Sequence, residues 1–281
     1  MALGAAAPAF AIDGCTNQNI MGTYNAQITS AALTNVVNTL NASAGSTASV
    51  MPGGFGNNPA SISGSAPALS RFYFDGSGNV LGGSSIGNGI FVQAGVYSVA
   101  TNCTAAITLN TGQHYNAVVV SGGNQVLVLQ SDIGSNGVTG TLVRSDNTCN
   151  APQYPTSFGF SYYGASAQTA ASGAAAATLS PYSAIGTLSL DGAGNFTMIE
   201  YVVNGSLSSQ AFSASGTYSV NNNCSLSLSF AAPAAGASGV LTPPAAFSAL
   251  IGTTPGSSTF NGLITVQPTS GVMLPGVVIS Q

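Results

Sequence analysis

One pattern occurs twice in this chain. Arg71-Phe-Tyr-Phe74 runs into Asp75-Gly-Ser-Gly-Asn79, and the chain then reaches Gly95-Val-Tyr-Ser-Val99 and Cys103. Farther on, Gly186-Thr-Leu-Ser-Leu190 runs into Asp191-Gly-Ala-Gly-Asn195, followed by Gly216-Thr-Tyr-Ser-Val220 and Cys224. In both copies the Cys stands eight positions after the Gly of the G-x-Y-S-V run. Matching residue types at matching offsets define an internal repeat, and a repeat means one supersecondary plan used twice. The 281 residues therefore divide into an N-terminal arm (1–14), a first repeat (15–145), a linker (146–155, carrying Cys149) and a second repeat (156–281).

Each repeat reads as strands separated by turn residues. In the first, alternation predicts strands over 19–28, 68–74, 80–86, 91–99, 103–109, 115–120, 126–130 and 138–143. In the second it predicts 157–164, 183–190, 196–203, 210–220, 224–230, 246–251, 259–266 and 271–279. Two longer excursions interrupt the pattern, 41–67 and 165–180. Leu33, Val36, Val37 and Leu40 sit at helical spacing and predict a short helix over 29–40. Eight sequential strands joined mostly by tight turns predict an antiparallel up-and-down barrel, all-β, closed so that no edge is exposed. A β-sandwich is the competing architecture.

In layout, each half resembles the lipocalin or calycin barrel: a first strand, a long loop, then seven hairpin-joined strands. The chain has no Trp, so Gly22-Thr23-Tyr24 stands where that family carries G-x-W. The resemblance implies a barrel able to hold a small apolar ligand. Phe72, Phe74, Tyr97 and Tyr218 are large enough to fill such a barrel instead.

The composition bears on the surface. The chain has two basic residues, Arg71 and Arg144, no lysine and six acidic residues, so charged residues make up 3% of it. An ordinary soluble domain carries about 25%. With 45% apolar residues, a packed core is expected rather than disorder. The exterior must then be Ser, Thr, Asn, Gln, Gly and Ala, which hydrate but do not repel a second copy. Two arginines cannot build a basic patch, which excludes nucleic acid as a partner. Nor has any run the length and apolarity of a membrane-spanning helix.

Ala9-Phe10-Ala11 follows a short run of small apolar residues and predicts a secretory leader or an apolar docking arm. The four cysteines agree with export, and the repeat selects the pairs Cys15–Cys103 and Cys149–Cys224 from three possible pairings. No C-x-x-C or nearby His supports a metal reading.

Chemistry is sparse. Asp75 and Asp191 open loops that faintly match calcium loops, but each copy offers two side-chain ligands and no distal Glu, so a hairpin turn is the expected role. His114 is the only imidazole; a hydrolase would align it with a serine and Asp132 or Asp146, and no G-x-S-x-G elbow marks a nucleophile. Glu200 is the one acid inside a strand. Its place opposite Ile199 and Tyr201 predicts that it faces solvent or an interface, where Arg71 could pair with it. Asp13 lies near the terminus. Sequons stand at Asn41, Asn102, Asn195, Asn204 and Asn223.

These features predict a secreted, non-enzymatic protein with no cofactor, its partner being itself. The expected assembly is a filament, sheath or surface layer, with the N-terminal arm or Val272–Ile279 added as a strand to a neighbour. A lipocalin-like carrier of a small hydrophobic molecule is the alternative.

Overall fold

The computed structural model describes residues 14–30, 68–82, 92–133, 138–145, 155–168, 178–204, 210–221, 224–231, 243–244, 246–253, 260–267 and 274–281. Sixteen strands form two closed antiparallel barrels of eight. The first contains β1 (Gly22–Ser30), β2 (Ala68–Phe74), β3 (Asn79–Gly82), β4 (Val92–Val99), β5 (Thr104–Leu109), β6 (His114–Val120), β7 (Gln125–Gln130) and β8 (Val138–Ser145). The second contains β9 (Thr156–Gln168), β10 (Thr178–Leu190), β11 (Asn195–Asn204), β12 (Gln210–Val220), β13 (Ser225–Phe230), β14 (Ala246–Thr253), β15 (Phe260–Gln267) and β16 (Leu274–Ser280). Each strand pairs with its sequence neighbour. β1 closes on β8 and β16 closes on β9. The predicted pair of barrels is the observed fold, and the sandwich is not.

Alternation does the sorting. In β5, Ala105, Ile107 and Leu109 point inward, and in β6 Tyr115, Ala117 and Val119 do the same. Phe158, Phe160, Tyr162, Leu188, Phe196 and Phe247 contribute to the second core. Both interiors are apolar, whereas the interior of a lipid-facing barrel is polar. No described helix is long and apolar enough to cross a membrane.

The repeat holds at the level of single hydrogen bonds. Asp75 Oδ1 accepts from the Ser77 and Asn79 backbone N–H groups, and Asp191 Oδ1 accepts from Ala193 and Asn195. Gly76 and Gly78, like Gly192 and Gly194, take the positive φ that such a turn needs. The Tyr97 N–H donates to Gly78 O at 2.8 Å, and the Tyr218 N–H donates to Gly194 O at 2.8 Å. Cys103 and Cys224 both adopt left-handed φ, 64° and 67°.

The Cys15–Cys103 disulfide forms as expected, across a sequence separation of 88. Closing a loop of that size contributes about 4.5 kcal/mol in the chain-entropy picture. Cys224 is also disulfide-bonded. Its expected partner, Cys149, lies outside the described residues. So do Asp13, Asp146, Asn41, the arm 1–13 and all but the first two residues of the predicted helix 29–40.

Three expectations change. The excursion 165–180 is shorter than read: the β9–β10 ladder continues to Gln168 opposite Thr178, because Ala, Ser and Thr lengthen a hairpin that already has its register. Val272–Ile279 is not a free donor strand. From Leu274 onward it is β16, bonded to β15 on one side and β9 on the other, so closure has taken both of its edges. Glu200 is the third change.

Candidate functional site

Glu200 points into the second barrel. It shares a face with Phe196, Met198 and Val202 and is 1% exposed, whereas Ile199 and Tyr201 face solvent. The alternation itself was legible, but both faces of β11 are apolar, so parity alone could not distinguish inside from outside. The Tyr162 hydroxyl donates to Glu200 Oε1. Tyr162 stacks on Tyr182 with centroids 6.0 Å apart and on Phe160 at 6.2 Å. Glu200 Oε2 has no hydrogen-bond partner among the described residues. Burial pushes the Glu200 carboxyl up to about 7, against the opposing pull of the Tyr162 hydrogen bond.

Arg71, which the sequence allowed as a partner of Glu200 across an interface, lies elsewhere. It sits on the outer face of β2 in the seam where β1 and β2 pack on β14 and β15. It is 1% exposed, and its Nη1 donates to Cys224 Sγ. Leu69 packs there with Leu250, Leu263 and Val143. Gln27 Nε2 donates to the backbone oxygens of Ile264 (2.6 Å) and Gly276 (3.1 Å). The seam thus joins the barrels through their side walls.

Arg144, not singled out from sequence, latches the base of the first barrel. Its guanidinium lies 5.5 Å from the centre of the Tyr24 ring. Nε donates to Tyr24 Oη at 3.1 Å, and Nη2 donates to Asn19 O at 2.8 Å. Asn19 belongs to a 3-10 turn, Asn17–Ile20, whose Ile20 joins the core below the strands. Gly22-Thr23-Tyr24 and a lone arginine were the available signals, but only strand closure places β8 beside β1.

His114 and Asp132 do meet. Their Nδ1–Oδ1 distance is 2.7 Å at an exposed strand end. The His114 backbone N–H, then the Gln130 amide and the His114 ring, hold the Asp132 carboxyl down at about 2. The adjacent Ser131 Oγ donates to the His114 carbonyl oxygen rather than to the ring, so the pair has no aligned nucleophile in Ser131. Asp75 and Asp191 have both carboxylate oxygens engaged by their own turns, Oδ2 by the Asn79 and Asn195 amides. No cluster of three or more metal-ligating residues occurs among those described.

The first barrel encloses a cavity of about 20 Å³ lined by Phe72, Phe74, Ile107 and Tyr115 among others. That is room for about one water, while small-molecule sites run to about 300–1,000 Å³.

The walls away from the seam differ sharply. On the second barrel, β12 and β13 present Ser213, Ser215, Ser219, Ser227 and Ser229 to solvent. The adjoining wall of β16, β9, β10 and β11 presents Ile279, Tyr163, Ile185, Ile199 and Tyr201 instead. On the first barrel, β4 to β7 form an open groove of about 570 Å³ with small side chains (Ser98, Thr104, Ala106) beside Val118, Leu127 and Leu129. Neither wall carries a charged residue among those described.

This fold and these walls define a class, a tandem pair of packed barrels, the first tied by a disulfide, with nearly charge-free walls among the described residues. Comparison with models of protein families, with curated proteins and with solved structures finds no match to the chain.

Proposed function

We propose that this is a secreted structural protein, the self-associating subunit of an extracellular filament, sheath or surface layer. One observation carries the reading: among the described residues the few charges are buried or engaged at turns and strand ends, and none stands on the open barrel walls. Arg71 is in the seam, Arg144 in the basal latch, Glu200 inside a barrel, and Asp75 and Asp191 in their own turns. The walls left over are Ser, Thr, Ala and apolar residues, which lack the charge repulsion that keeps ordinary proteins apart. Because the described strands close into barrels, association runs face to face rather than by strand addition at an edge. The reading includes no catalysis and no cofactor. The near-filled interior of the first barrel favours it over the lipocalin-like carrier.

Negative-stain microscopy and sedimentation of the purified protein over a hundredfold concentration range test this. Regular polymers that grow with concentration support the reading. Dispersed particles at every concentration, with an apolar molecule recovered from the barrel, overturn it in favour of the carrier.

A further inference from the structure

Two walls that no other described residue covers face away from each other across the pair of barrels. In a closed ring of eight strands, the strand four places away lies across the barrel. The first barrel meets the seam with β1 and β2, so β5 and β6, the centre of its groove, face away from it. The second barrel meets the seam with β14 and β15, and with Gly276 of β16 at its margin, so β10 and β11, which carry Ile185, Ile199 and Tyr201, face away too.

The register sets one apolar pair on this wall and places its other large apolar side chains opposite small ones. Ile185 lies opposite Tyr201, and Thr187 lies opposite Ile199. Tyr163 is opposite Ser183, and Ile279 is opposite Gly159 on the other flank. Tyr163 and Ile185, 71% and 62% exposed, stand well above the Ser and Gly beside them. The groove has the converse relief. Across it Ser98 pairs with Ala106, and Ala106 with Asn116, so small side chains floor it. Val118 opposite Leu127 forms its apolar bank.

We propose that the β9–β11 wall of one copy seats in the β4–β7 groove of the next, giving a head-to-tail chain of double barrels. This rests on the self-association reading and names the two faces that carry it. Charge argues for a second copy as the occupant. A partner of ordinary composition would bring charged side chains, about a quarter of its residues, against walls that offer none to pair them. This chain, with 3% charged residues, brings none on either face. The titratable pair at the groove rim, His114 and Asp132, is already engaged with itself. Because the two faces differ and point in opposite directions, the contact is heterologous and propagates unless the rotation closes a ring. Four strands about 4.8 Å apart and five residues long give a wall of roughly 300 Å² in plan. A stable interface takes about 800 Å² per partner. The contact must therefore draw in flanking Ser and Thr, and it is weak enough to reverse on dilution.

Three variants at exposed positions test the pairing: Tyr201→Glu on the apolar wall, Leu127→Glu in the groove and Ser215→Glu on the serine wall. Unchanged thermal midpoints confirm that each is folded. Sedimentation velocity should show wild type and Ser215→Glu polymerising alike. Tyr201→Glu and Leu127→Glu should each stay monomeric to at least tenfold higher concentration. An equimolar mixture of those two should give dimers and nothing longer, since one intact wall meets one intact groove. The pairing is overturned if either face variant polymerises like wild type, if either dimerises alone, if the mixture stays monomeric, or if Ser215→Glu is equally blocked. In each of those cases polymerising wild type leaves the parent reading standing. Wild type that never associates removes both.

Discussion

Glu200 gives this protein an unusual dependence on pH. Its carboxyl is held at about 7 in the folded chain against 4.5 for the free side chain. The folded state therefore binds this proton more tightly than the unfolded state does. The resulting stabilisation is fully present below about pH 4.5 and is lost as the pH rises through about 7. At about 1.36 kcal/mol per unit, a gap of about 2.5 units amounts to about 3 kcal/mol. Glu200→Gln keeps the shape and the acceptor for the Tyr162 hydroxyl but cannot ionise. Urea denaturation at pH 4 to 8 should show wild type losing about 3 kcal/mol between pH 4.5 and 7.5, with the variant nearly flat. The two curves should meet near pH 4, and the variant should be the more stable at pH 8. Tyr162→Phe removes the hydrogen bond that opposes the shift, so it should move the wild-type loss to higher pH. Parallel curves for wild type and Glu200→Gln, or a wild-type stability that rises from pH 5 to 7, would refute the buried-carboxyl account.

Two further outcomes follow from the frame. Arg144→Ala removes a stacked cation and two charge-assisted hydrogen bonds from the base of the first barrel, and should lower stability by about 3 kcal/mol. Amide exchange should accelerate first at Asn19 to Tyr24, while Arg144→Lys recovers part of the loss. Gly216→Ala would set a Cβ 2.0 Å from Ser229 O. It should destabilise by more than about 2 kcal/mol in thermal melts, with Gly95→Ala matching it in the other repeat, since that Cβ would stand 2.2 Å from Thr108 O. A soft response at either position would mean that the strands lie farther apart than described.

The outer walls of the barrels were the least legible part of the chain. Val118 and Leu127 are unremarkable residues in separate strands, and they become a groove wall only when β6 and β7 pair. Arg71 gave no sign that it would be buried, because its strand alternates like any other; the second barrel covers it. Glu200 was read onto the wrong face of β11, since apolar residues line both sides of that strand and only the direction of closure decides which side is core.

What the residues determined by themselves is local and periodic. The Asp-Gly-x-Gly-Asn turns, the alternation of the strands, the Cys15–Cys103 pairing and the count of eight per repeat all depend on contacts within a few residues or on the repeat itself. What tertiary structure decided is which side of each sheet faces inward, which wall of one barrel meets the other and therefore which walls are exposed among the described residues. Those outcomes depend on ring closure and on the seam, and both join residues that no sequence interval brings together.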